Sequence, residues 1–96
     1  MQNVLTEHEE GMRVSTIRAG QPAGHTDLGV SKEELDDAFA QLFASDAKSV
    51  QVELPGRLLE VVTLDSGVRV STHFPKRPQR TTCLIQWRDF ASYLIA

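Results

Sequence analysis

The chain has a single cysteine, no apolar run near the roughly 18 residues a membrane-crossing helix needs, and no glycine-rich phosphate loop. One cysteine excludes an intramolecular disulfide and any multi-cysteine zinc site. Flanked by Leu84 and Ile85, Cys83 is expected on a strand as a small buried hydrophobe. Neither G-x-x-x-x-G-K-[ST] nor G-x-G-x-x-G occurs, so the usual nucleotide cradles are excluded. The first eleven residues hold Glu7, Glu9 and Glu10 and no basic residue, which is the wrong chemistry for a secretory or transit leader. A cytoplasmic, reducing setting is the expectation.

What is present fits one small globular domain over residues 1–96. The 41% hydrophobic and 24% charged content is too apolar for disorder and too polar for a membrane span. Residues 1–10, polar and acidic, are expected to be a flexible tail. The net charge of −3 hides a split. Most carboxylates fall in residues 1–56, whereas Arg57, Arg69, Lys76, Arg77, Arg80 and Arg88 fall in residues 57–96. Where the two halves stay apart, this predicts two electrostatically distinct faces.

The organising stretch is residues 30–43. Ser31 followed by Glu34 is a capping box, and Val30 and Leu35 occupy the staple positions that clamp the chain's entry. Leu35, Ala38, Phe39, Leu42 and Phe43 recur at helical spacing and form one apolar stripe. Glu33 and Asp37 point away from it, with Glu34 and Asp36 at its flanks. Carboxylates in a first turn are stabilised by the helix dipole, which alone accounts for their placement. They also make this helix start a poor phosphate cradle.

Extended structure dominates the rest. Met12–Ile17 predicts a short strand, and Ala19–Gly29, with Gly20, Pro22, Gly24 and Gly29, a loop. Val50, Val52 and Leu54 alternate with Gln51 and Glu53, Pro55-Gly56 breaks the chain, and residues 57–64 resume. Asp65-Ser66-Gly67 then predicts a three-residue hairpin loop with a G1 bulge. Residues 68–74 return, and 81–87 form a last strand beyond the proline-punctuated loop 75–80. Phe90, Tyr93 and Leu94 predict a short C-terminal helix. The expected class is α+β: one amphipathic helix on one face of a mainly antiparallel sheet of four to five strands, with a short C-terminal helical segment.

Groups able to do chemistry scatter. His25 and Asp27 could supply two metal ligands, but no third accompanies them. His8 lies in the tail and His73 on a polar strand face. No histidine stands at a recognisable distance from Cys83. The helix carboxylates are solvated, which leaves them poor at proton transfer near neutrality. No cofactor or metal is implied, and the reading is not of an enzyme.

Two binding readings remain. In the first, Glu33, Glu34, Asp36 and Asp37 steer the chain onto a basic surface of a partner protein. Size and charge layout then fit an inhibitor of the phage or mobile-element kind, which occupies a surface of a host protein. In the second, Lys76, Arg77 and Arg80 contact nucleic-acid phosphates and Trp87 stacks a base. The acidic balance weighs against the second, and a positive loop also serves simply to keep a sheet soluble. A homodimer joined through a sheet edge or residues 90–95 is a third arrangement.

Overall fold

The computed structural model describes residues 2–76 and 80–95, with backbone alone for residues 94 and 95. The chain runs β1 (Gln2–His8), β2 (Gly11–Arg18), β3 (Gln21–Asp27), α1 (Lys32–Ala44), β4 (Ser49–Leu54), β5 (Arg57–Thr63), β6 (Gly67–His73), β7 (Arg80–Gln86) and α2 (Trp87–Ile95). The class is α+β, as the sequence predicts. Its strands form two antiparallel sheets, β1-β2-β3 and β4-β5-β6-β7, instead of one.

The first sheet is the main departure from expectation. Where a flexible tail is expected, Gln2–His8 form β1, which pairs with β2 from Gln2↔Ile17 to His8↔Gly11. The glycine-rich stretch after residue 19 holds β3, paired with β2 from Arg18↔Gln21 to Arg13↔Asp27. Both strands flank Met12 and Val14, which are buried, so the central strand supplies most of the apolar contact and its neighbours mainly hydrogen bonds. The segment after β3 is pinned to the same strand. The Met12 amide donates to the Val30 carbonyl at 2.7 Å, and the Leu28 amide to the Met12 carbonyl at 2.9 Å.

The second sheet forms where the alternation predicts it. Leu59, Val61, Val68, Val70 and Ile85 are buried on its inner face. The β5–β6 connection differs from expectation. Leu64 and Gly67 exchange hydrogen bonds at 2.8 and 3.3 Å, which leaves Asp65 and Ser66 as a two-residue turn. Gly67 has no left-handed φ and makes no G1 bulge. Its missing side chain is needed for another reason: a Cβ there would stand 2.0 Å from the Ile85 carbonyl oxygen of β7.

The capping box at α1 is formed. Ser31 Oγ accepts from the Glu34 amide at 3.1 Å, and Glu34 Oε1 accepts from the Ser31 amide at 2.9 Å. Leu35, Ala38, Phe39 and Leu42 are buried between the sheets, and Val30 is buried beside them. Phe43, expected on the same stripe, is 49% exposed. At about 100° per residue it stands roughly 80° from Leu35, at the stripe's edge. α2 closes the other end. Phe90 is 1% exposed and meets Phe39 edge-on, ring centroids 4.8 Å apart. One apolar cluster therefore draws on both sheets and both helices. No helix among the described residues is long and apolar enough to cross a membrane.

Candidate docking surface

The four acids proposed for partner binding separate into two pairs. Glu34 faces inward to the helix entry, where it caps Ser31 and accepts from Arg57 Nη2 at 2.5 Å. The Ser31 amide, with Arg57 adding to it, holds its carboxyl below the usual carboxylate range. Asp36 accepts from Lys32 Nζ at 2.6 Å and from the Tyr93 hydroxyl of α2. Glu33 and Asp37 are exposed and have no partner among the described residues. Only these two remain as unpaired carboxylates on the first half of α1.

Beside them lies a groove of about 510 Å³. Its apolar lining is Leu5 of β1, Met12 of β2, and Phe39 and Ala40 of α1, with Phe43 at its lip. Glu7, Lys32, Asp36 and Tyr93 form its rim. On the helical wheel Asp36, Ala40 and Phe43 fall in one row along the groove. Glu33 and Asp37 fall in the next row toward solvent, roughly 60–100° away. The Tyr93 phenol is pushed up from its ordinary pKa, first by burial and then by the neighbouring Asp36 carboxylate. It therefore remains a neutral hydrogen-bond donor that fixes α2 to α1. Lys32 lies 5.7 Å from the Tyr93 ring centroid, completing that corner of the rim.

Lys76 and Arg80 are exposed, and Arg77 lies outside the described residues. Trp87 follows the opposite end of β7 from Arg80, and seven strand residues span roughly 20 Å. There its Nε1 donates to the Asp65 carbonyl at 3.0 Å. Trp87 and Arg80 thus stand at opposite ends of β7. Arg69 approaches Glu60 at 3.9 Å. The predicted division into two charged faces is also blurred. Arg57 joins Glu34 across the two halves, and Phe74 at the end of β6 packs against Gly29 near the start of α1. The acidic helix entry and Phe74, just past β6, therefore lie together.

The remaining candidates are engaged or isolated. Asp27 accepts from Arg13 Nε at 2.7 Å, and His25 is 4.0 Å from it. His8 pairs with Thr6 at 2.9 Å. Among the described residues no three His, Cys, Asp or Glu side chains converge to hold a metal ion. Cys83 is half-buried, and burial pushes its thiol up, away from the reactive thiolate.

The sequence shows the acids but not the groove. The groove's walls come from β1, β2, α1 and α2, so no local spacing reveals it. The one available signal was Phe43 at the margin of the apolar stripe. Neither a protein-family model, a curated protein nor a solved structure matches the chain.

Proposed function

We propose that the protein is a non-catalytic binding module that docks on a basic segment of a partner protein, with an apolar side chain of that segment seated in the groove on α1. The observation that carries this reading is the adjacency of the groove to Glu33 and Asp37. An apolar slot beside unpaired carboxylates matches an amphipathic segment bearing Leu or Phe on one side and Lys or Arg on the other. The carboxylates steer approach, and the groove supplies most of the holding contact. Glu34 and Asp36 act in this reading by positioning the helix and the rim, since both already have partners within the chain.

The same chemistry covers the inhibitor mode expected from the sequence, in which a small acidic chain occupies a basic surface of a host protein. A cytoplasmic setting belongs to this proposal.

The test is a titration with a synthetic amphipathic peptide carrying Leu on one face and Lys on the other, followed by calorimetry at low and moderate salt. Binding should weaken about tenfold in Glu33→Lys/Asp37→Lys. The weakening should shrink as salt rises. Equal affinity of the reversed variant and the unaltered protein at low salt would reject the reading. The alternative, a nucleic-acid module using Lys76, Arg77 and Arg80, predicts a complex with a single-stranded oligonucleotide that dissolves steeply with salt. A mobility shift with that probe discriminates the two.

A further inference from the structure

An unpaired sheet edge invites another strand, and folded chains usually block theirs. Three of the four edges here are obstructed. At β1, the Asn3 amide donates to Asp89 Oδ2 of α2 at 3.0 Å. At β7, Asn3 Nδ2 donates to the Leu84 carbonyl at 3.0 Å, and β3 lies alongside. β3 carries Pro22 and an extra residue, Ala23, where the pairing slips from Thr16↔Gly24 to Ile17↔Pro22. A proline and a bulge are common edge protection.

β4 has neither. Its register with β5 runs unbroken from Ser49↔Val62 to Leu54↔Arg57, and its sequence contains no proline and no lysine. The Thr63 amide donates to the Lys48 carbonyl at 2.8 Å. By the alternation of an antiparallel ladder, Lys48, Val50, Val52 and Leu54 therefore direct their backbone groups toward β5. The N–H and C=O groups of Ser49, Gln51 and Glu53 then face outward. Val50, Val52 and Leu54 remain half-exposed although they pack on the core.

We propose that β4 pairs antiparallel with the β4 of a second copy of this chain about a two-fold axis through Gln51, joining the two four-stranded sheets into one. This register sets Gln51 against Gln51, Ser49 against Glu53 and Val50 against Val52 across the axis. Every outward N–H and C=O of these three residues finds a partner, and the half-exposed valines cover each other. Moving the axis to Val52 or to Val50 leaves an outward residue without a counterpart. Moving it to Glu53 places two carboxylates face to face. The strand is thus self-complementary in one register, which favours a second copy over an unrelated strand. The groove on α1 is not used, so this pairing stands or falls independently of the proposed docking.

Sedimentation equilibrium over micromolar to millimolar protein tests the pairing. The expected result is a reversible dimer of the 10.7 kDa chain, with amide exchange at Ser49, Gln51 and Glu53 slowing as concentration rises. Gln51→Pro removes the outward N–H, together with the side-chain bond from Gln51 Nε2 to Glu60 at 2.9 Å, and leaves the backbone ladder to β5 intact. Gln51→Lys sets two ammonium groups opposite each other. Each should weaken the dimer about tenfold or more. Gln51→Lys decides the matter if far-ultraviolet spectra show the proline variant unfolded. A chain that stays monomeric at millimolar concentration, or a dimer that the folded variants leave equally tight, overturns the proposal.

Discussion

Arg57, the first residue of β5, reaches the carboxylate of Glu34 at 2.5 Å and the Gly29 carbonyl at 2.8 Å, tying the helix entry to the sheet. Glu34 is the shared member of this pair and of the capping box, and its carboxyl is held below its ordinary pKa chiefly by the Ser31 amide. A carboxylate with a lowered folded pKa contributes stability that is full above its unfolded value of about 4.3. That contribution is lost as pH falls through the folded value. Glu34→Gln keeps an acceptor for the Ser31 amide but loses the charge facing Arg57, so it should cost about 1 kcal/mol at pH 7, and the difference from the unaltered protein should close as pH falls below about 4.3. Thermal melts followed by circular dichroism across that range check both points. Asp27, also lowered by its bond to Arg13, gives both proteins a common acid slope and drops out of the comparison.

The β2–β3 hairpin contains a correctable defect. Its two turn residues, Ala19 at φ 53° and Gly20 at φ 78°, both lie in the left-handed region, as a type I′ turn requires. Glycine adopts that region freely, but the alanine Cβ crowds a carbonyl at a cost of roughly 1–2 kcal/mol. Ala19→Asn restores the preferred Asn-Gly pair and should stabilise the chain by about 0.5–1 kcal/mol, raising Tm by a few degrees. An unchanged or lower Tm would show that the turn relaxes without strain.

This turn also explains which parts of the fold were legible in the sequence. α1 announced itself through Ser31, Glu34 and the spacing of Leu35, Ala38, Phe39 and Leu42, all of which are local signals. β4, β5, β6 and β7 were visible because each alternates or concentrates β-branched residues around turn residues. β3, QPAGHTD, carries no apolar alternation and is held by pairing with β2, a relationship that no window of its own sequence contains. Gly20, Pro22 and Gly24 read locally as loop residues, yet they serve a turn and a bulged edge strand. The same limit applies to the candidate site. Glu33 and Asp37 are readable from helical phase, whereas the internal engagement of Glu34 by Arg57 and of Asp36 by Tyr93 joins residues far apart in the chain.

Thr72 offers a test of the second sheet's interior. Its side chain is 0% exposed on the inner face of β6, and its Oγ1 has no hydrogen-bond partner among the described residues. A buried hydroxyl without a partner carries its desolvation cost, about 1–3 kcal/mol, without return. Valine has nearly the same shape and suits a strand. Thr72→Val should therefore raise stability by about 1 kcal/mol in urea unfolding, through a higher midpoint at unchanged m-value. A destabilised variant would reveal a partner for the hydroxyl in solution.

Phe43 and Phe90 separate packing from docking within a single ring pair. Their centroids lie 5.5 Å apart, but Phe90 is 1% exposed and Phe43 is 49% exposed at the lip of the groove. Phe90→Ala opens a cavity where α2 meets α1 and should cost about 3–5 kcal/mol, a large part of the stability of a domain this small. Phe43→Ser removes a ring that already meets water, along with its single tilted contact to Phe90, so its cost should stay at ~1 kcal/mol. Its effect on docking should be the larger one. With the same Leu- and Lys-bearing peptide, Phe43→Ser should weaken binding by about tenfold or more, the scale of an aromatic anchor. Unlike the loss from Glu33→Lys/Asp37→Lys, this loss should not change with salt, because an apolar contact is not screened. A Phe43→Ser protein that binds the peptide as tightly as the unaltered chain would place the contact elsewhere than the groove, whatever its melting temperature.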